Sequence, residues 1–473
     1  MKNLKIQLSI FLTAAAVMTA CTPANNRTAD GKYAVVDGII RTEVPERPAD
    51  QQDVVALRLE PLDSVRVGFI GLGMRGPGAV HRFSNIDRTS IKALCDKHAD
   101  RVEASQKILE ANGRPAATEY VGDSAWMELC QRPDIDLVYI TTDWKNHVPM
   151  AVYAMEQGKN VAIEVPAAQS LDECWQLVNT AEKTRKHCMM LENCVYDFFE
   201  LTTLNMAQQG LFGDVLHVEG SYIHNLEDFW NEYEGNWRLD FNEQNRGDVY
   251  ATHGMGPAAQ LVDLHRGNKM NYLVAMDTKA VTGPKMVERQ GRTSDNFQNG
   301  DHTMTMIMTE NGQTMHIQHD VMNPRPYSRM YQLTGTDGFA NKYPVEGYVF
   351  RSVQDSAIVA DHENLSAHEC VPEDVKNALM AKYKHPIQIE LEERAKEVGG
   401  HGGMDYIMDS RLVYCLLNGL PLDEDVYDAA EWSSLGELTR ISLENNSAPV
   451  EVPDFTRGAW NKLNGYHHYM KGE

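Results

Sequence analysis

The sequence has no His-Glu-x-x-His pair, no Cys-x-x-Cys, no clustered Cys/His spacing and no repeat of acidic loop ligands, so no metal site is expected. It has no Gly-x-Ser-x-Gly either, which leaves hydrolysis through a serine nucleophile without support. Positive charge is scarce. Against 67 Asp and Glu stand 44 Lys and Arg, a net charge of -23 with no Lys/Arg-rich stripe, and such a chain repels a phosphate backbone. No nucleic-acid partner is expected; a neutral or cationic one fits better.

Cysteine is sparse and shows no pairing pattern. Of the 8 cysteines, Cys21 stands apart, and the odd number left includes several inside apolar runs, such as Leu94-Cys95 and Tyr414-Cys415. They read as reduced core residues, not as a disulfide framework. Near the start, the apolar run 10–18 is too short to span a bilayer. It follows Lys2 and Lys5 and precedes Thr19-Ala20-Cys21, the order of a secretory signal. The small residues before Cys21 resemble a bacterial lipoprotein cleavage box. The expectation is a signal over 1–20, a lipid on Cys21 anchoring the protein in the cell envelope, periplasmic or surface-facing, and a tether over 21–63. Free thiols sit awkwardly with export.

What is present begins with the run 65–70, which ends in Gly71-Leu72-Gly73-Met74-Arg75-Gly76, after which Pro77 opens a helical stretch. In a strand–turn–helix unit of this kind Gly71 permits the tight turn, Gly73 admits a pyrophosphate to the backbone and Gly76 lets helix and strand pack closely. The next apolar strand, 91–95, ends in Asp96, where a carboxylate either simply closes the strand or accepts the ribose hydroxyls of NAD. It would repel the 2′-phosphate of NADP. Strands at 135–141, 160–164 and 188–192 alternate with helices at 147–157 and 170–185, the latter opened by a capping box at Ser170-Leu171-Asp172-Glu173. This alternation predicts a doubly wound parallel sheet over 64–193, with its ligand beyond the carboxyl ends of the strands.

From 194 to 473 the pattern changes to an α+β domain with an open, mostly antiparallel sheet. Strands are expected at 215–223, 303–309 and 314–319, the last two joined at Asn311-Gly312. Between them lies a long loop, 230–257, where Tyr222, Trp230, Trp237, Arg238, Tyr250 and His253 mix aromatic faces with hydrogen-bond donors. A sugar ring requires that combination, although any one ring could equally be core. His253 precedes a helical run, so a helix dipole favours its neutral form. Tyr327 and Tyr331 are further candidates, and His401 stands on the Gly-rich "GGHGGMDY" with its role open.

The stretch 142–147, followed by a helix and "EQGKNVAIEVP", resembles the glucose-fructose oxidoreductase and inositol dehydrogenase superfamily (Gfo/Idh/MocA). Its dehydrogenases end that strand in Glu-Lys-Pro, and the lysine relays the proton of the alcohol being oxidised. Here Val165 takes the lysine's place and can carry no proton, which disfavours the rival reading, a sugar dehydrogenase. "LGMRGPG", "WKNHVPMA", "EVPAA", "ENCVYDFF", "YATHGMGP" and "PRPYSRMYQL" together resemble glycoside hydrolase family 109. That resemblance implies removal of terminal α-linked N-acetylgalactosamine by transient oxidation at C3, elimination, water addition and re-reduction, with NAD tightly bound and not consumed. It implies NAD contacts at Met74, Arg75, Asp96, Trp144, Lys145, Asn146, His147, Glu164, Val165 and Asn193. Sugar contacts are implied at Tyr222, Arg238, Tyr250, Ala251, Thr252, His253 and Tyr327, with His253 and Tyr250 handling protons and acid against base left open. In this superfamily the exposed sheet face often pairs with a second copy. Because Lys2 and Lys5 make no twin-arginine signal, an exported chain would have to acquire NAD outside the cytoplasm.

Overall fold

Val65–Ile70, Leu137–Ile140 and Asn160–Ile163 are almost wholly buried, which is why they read as unbroken apolar runs instead of alternating ones. In the structure, a computed structural model that describes residues 27–353, 358 and 365–472, they lie in a six-stranded parallel sheet. The spatial order is Thr118–Val121, Thr89–Asp96, Val65–Ile70, Leu137–Ile140, Asn160–Ile163, Cys188–Met190. Winding reverses at Val65–Ile70, so the crevice lies beyond the ends of that strand and of Leu137–Ile140. The helix Leu171–Thr184 starts at Ser170, whose side chain accepts the Glu173 N–H at 3.2 Å. The other half of the expected capping box goes astray by one residue, because the Glu173 carboxylate takes the Gln169 N–H at 2.7 Å.

The second sheet has ten strands and a mixed pattern. Most neighbours are antiparallel, but Thr314–Asp320 runs parallel to Val215–Ile223. Along Thr303–Thr309 burial alternates with period two. Thr303, Thr305 and Ile307 face the helices, while Met304 and Met306 lie on the open face. The helix Thr252–Leu261 packs on Val215–Ile223 so tightly that a side chain at Gly254 would lie 2.6 Å from the Ser221 nitrogen.

The tether expected over 21–63 is corrected for the described part, from 27 onward. Ala34–Val36 and Ile39–Arg41 pair with each other, and Ile39–Arg41 joins the ten-stranded sheet beside Val450–Glu451. Ile40, Val54 and Leu57 are buried, and the Val54 N–H donates to the Tyr427 hydroxyl at 3.0 Å. These contacts are scattered single residues without periodicity, so composition alone suggested a linker. Cys21 and the expected signal lie outside the described residues. The chain passes from one sheet to the other through Asn193–Tyr196, and the late helix Val426–Glu444 returns to pack on Leu171–Thr184 and Cys188–Met190. All seven described cysteines are free, and six of them are buried.

Candidate active site

Gly71 leaves the first strand with φ +90°, and a Cβ there would press on the Thr141 carbonyl at 2.7 Å. Gly76 sits against the Gly71 carbonyl with no room for a side chain. At Gly73 the backbone is open: a Cβ would meet only the Arg101 guanidinium, at 3.5 Å. The helix Gly76–Ser84 that follows has Arg75 at its N-cap without a side-chain capping bond, so among the described residues no cap side chain claims its first N–H groups. Asp96, at the end of Thr89–Asp96, is buried. It accepts the Leu72 N–H at 2.6 Å and the His98 N–H at 2.9 Å, which ties it to the glycine turn while further lone-pair positions stay open. An anion cradle at a helix start, an open glycine backbone and a neighbouring carboxylate fit a dinucleotide.

These groups line one cleft of about 460 Å³ with Met74, Lys145, Asn146, Glu164 and Val165. Trp144 donates its indole N–H to the Val165 carbonyl at 3.2 Å, which fixes the strand end against the helix Trp144–Glu156. His147 is buried between two carbonyls, Pro166 at 2.9 Å and Thr142 at 3.1 Å, and so clamps two of the loops that form the cleft floor. Lys145 pairs with Asp143 at 3.1 Å. Burial pushes the Glu164 carboxyl up, opposed by the Arg75 charge.

The opposite wall comes from the second domain. Arg238 is buried, with its guanidinium 4.2 Å from the Tyr250 ring centre and 5.2 Å from that of Trp144, and it donates to the Tyr233 hydroxyl at 2.6 Å. Among the described residues no carboxylate pairs with it. The Tyr250 hydroxyl lies 3.3 Å from His253 Nε2, and His253 Nδ1 lies 2.7 Å from Glu192 Oε1. Burial lowers His253 to about 4, so the imidazole is neutral, donates from Nδ1 to Glu192 and accepts at Nε2 from Tyr250. Burial would raise Glu192, but its bonds to His253 and to the Cys194 N–H hold it below its ordinary value. Glu192, Cys194 and His253 place ligand atoms within 4.8 Å of one another, a spacing a metal ion accepts. The Arg329 guanidinium, 2.6 Å from Cys194 Sγ, already supplies positive charge at that point.

Of the expected sugar contacts, only Arg238 and Tyr250 line the cleft itself. Tyr222, Ala251, Thr252 and His253 form a buried layer behind them, with the Tyr222 ring 4.8 Å from that of Tyr250. Tyr327 is 41% exposed and packs edge-on against His224 at 5.0 Å, away from the cleft lining. Asn193 is buried beside the cleft, donating to Asp405 at 2.5 Å and lying 3.2 Å from His401 Nδ1. Two aromatic candidates belong to the core: Trp230, with its indole nitrogen 3.2 Å from Met286 Sδ, and Tyr331, edge-on to Phe199. The structure adds three residues that sequence reasoning did not assign. Glu192, Arg329 and Asp405 each stood inside a quoted stretch, "ENCVYDFF", "PRPYSRMYQL" and "GGHGGMDY", without a role, because their partners lie far off in sequence. His401 is brought in from 208 residues beyond Asn193, with Nδ1 2.9 Å from Asp405 and Nε2 3.2 Å from Arg75.

Residues 65–192 match the oxidoreductase family model with an NAD-binding Rossmann fold, and residues 196–462 match the model of the glycosyl hydrolase 109 C-terminal domain. The chain belongs to glycoside hydrolase family 109. Within that family it is 66% identical to glycosyl hydrolase family 109 protein 1 of Phocaeicola vulgatus, covering 98% of both chains. It is 68% identical to the protein of the same name from Bacteroides thetaiotaomicron, over 91% of this chain and 92% of that one. The fold of this family 109 chain is also that of a levoglucosan dehydrogenase solved with NADH and levoglucosan, at TM-score 0.61, 17% identity, 82% of this chain and 100% of the other. A myo-inositol dehydrogenase from Lactobacillus casei, solved with NAD(H) and myo-inositol, matches at TM-score 0.54 and 16% identity, over 83% and 99%.

Proposed function

We propose that the protein removes terminal α-linked N-acetylgalactosamine from glycans, with a tightly held NAD that each turnover returns unchanged. One observation carries the reading: the wall where a dehydrogenase of this fold would present a lysine offers Val165, while a proton path enters from the other wall through Tyr250, His253 and Glu192. Bound NAD supplies reversible acceptance of a hydride from the sugar's C3, which acidifies the C2 proton. Tyr250 is placed to take a proton from the sugar while passing its own to His253 Nε2, and Glu192 balances the imidazolium that forms. Arg238, buried on the Tyr250 ring and among the described residues without a carboxylate partner, stabilises negative charge developing on a sugar oxygen.

His253 lies too deep to meet an aglycone. His401 stands nearer solvent on a Gly-rich turn, oriented by Asp405, and we assign to it the proton given to the leaving oxygen and taken from the incoming water. The sugar or polyol ligands and NAD(H) of the two structural neighbours support the substrate class and cofactor. We further propose that a lipid on Cys21 holds the enzyme in the bacterial cell envelope, and that the open sheet face around Met304 and Met306 pairs with a second copy.

Purified protein and a panel of chromogenic glycosides test the reading. The α-linked N-acetylgalactosaminide is expected to release its aglycone with no accumulation of NADH absorbance, even with free NAD added. Accumulating NADH would establish the dehydrogenase instead, and sugar binding without aglycone release would establish a glycan-binding protein.

A further inference from the structure

Immediately after Asp96 come three nitrogen-bearing side chains, Lys97, His98 and Arg101, on the side of the cleft where the sheet turns into the helix Ala99–Ala111. All three converge on one carboxylate from the other domain. Glu234 lies 2.6 Å from Lys97 Nζ, 2.9 Å from Arg101 NH2 and 3.1 Å from His98 Nε2. These bonds, the one from Lys97 foremost, draw its carboxyl down to about 2, so it is charged at any working pH. The segment that brings it there turns sharply, with Gly235 at φ +69° and Asn236 at φ +58°. Glu232, Tyr233, Glu234 and Trp237 all line the cleft. Trp237 is seated edge-on against Trp144 at 5.0 Å and Tyr233 against Arg238 at 2.6 Å, so the segment is fastened at both ends of the cleft and Glu234 is its outer fastening.

Resting on the reading that NAD resides in this cleft, we propose that Glu234 is a latch: its bridge to Lys97, His98 and Arg101 closes the 232–237 segment over the dinucleotide and keeps it from exchanging. A cofactor that must give back what it takes has to outstay the turnover, whereas a dehydrogenase must let its cofactor go. The latch is an exposed ion cluster, Glu234 being 42% and Arg101 32% accessible, so it is open to screening by salt.

The test uses the full chain loaded with NAD and follows the rate at which bound NAD becomes available to an excess of a trapping NAD-consuming enzyme. Glu234→Gln is expected to release NAD at least about 10-fold faster than the wild type, the scale for loss of the ion pairs to Lys97 and Arg101 together. Raising salt to about 1 M, where the screening length is about 3 Å, is expected to accelerate wild-type release and leave the variant unchanged. Equal release rates from wild type and Glu234→Gln overturn the latch while leaving the cleft reading intact. Wild-type protein that binds no NAD overturns both. Should the variant fail to fold, the wild-type salt response decides alone, and its absence overturns the latch.

Discussion

Burial decides what each ionisable group beside the cleft can do. Tyr250 is pushed well above its ordinary value by burial, so it stays a phenol, and in the proposed mechanism it gives up its proton only as it takes one from the sugar. His253, lowered to about 4 by burial, becomes an acceptor whose protonated form is tolerable only because Glu192 is 2.7 Å away. Glu192→Gln keeps the shape of the relay and removes that balancing charge. Turnover is expected to fall by about 10²-fold, the scale for a lost acid–base group, while competitive inhibition by free N-acetylgalactosamine is unchanged. If the three residues act as one relay, adding His253→Ala to Glu192→Gln lowers turnover little further. A near-normal turnover number in Glu192→Gln would remove the relay from the mechanism, and a matching loss of sugar affinity would reassign it to packing.

At the scale of elements, what could be read in advance was what local physics specifies. Strands buried on both faces, the Gly71, Gly73 and Gly76 turn and the Asn311-Gly312 hairpin all carry their cause within a few residues. The strand Val215–Ile223 has its expected limits, and the helix Trp144–Glu156 begins three residues before its expected start at 147 because Asp143 in extended backbone forms its N-cap. What escaped was set by distance. Glu192 is recognisable as a functional carboxylate only once the helix Thr252–Leu261 lays His253 on it, and Asp405 only once its helix meets Asn193. The same limit explains Trp230 and Tyr331, whose ring chemistry suits a sugar until the fold turns them inward. Residues 27–63 were misjudged because an edge hairpin and isolated anchors such as Val54 leave no period behind.

Across the whole molecule, buried histidines set an acid limit. His187, His319 and His468 are lowered to about 3, and His253 and His385 to about 4, all chiefly by burial. In the unfolded chain each titrates near about 6.5, so between about pH 6.5 and about 4 these five side chains bind more protons in the unfolded state than in the folded one. Their contribution to stability is therefore full above about pH 6.5 and falls as pH drops through that window, opposed by the Glu200 and Asp248 carboxyls, which burial raises to about 7. His265 works in the opposite sense: burial lowers it, but Glu431 and Asp428 raise it to about 10, so its contribution is lost only as pH rises toward that value. In scans at constant salt, His319→Gln is expected to lessen the fall of the thermal midpoint between about pH 6.5 and about 4.5 relative to the wild type, and parallel profiles would show that His319 is not buried as a neutral group.

The most direct measurement on the proposed activity is the isotopic content of the N-acetylgalactosamine it is expected to release in deuterium oxide. A transient oxidation at C3 makes the neighbouring C2 hydrogen exchangeable, so deuterium is predicted at C2 of the product. Product released at full rate with its original C2 hydrogen intact would contradict the proposed chemistry, whatever the cleft holds.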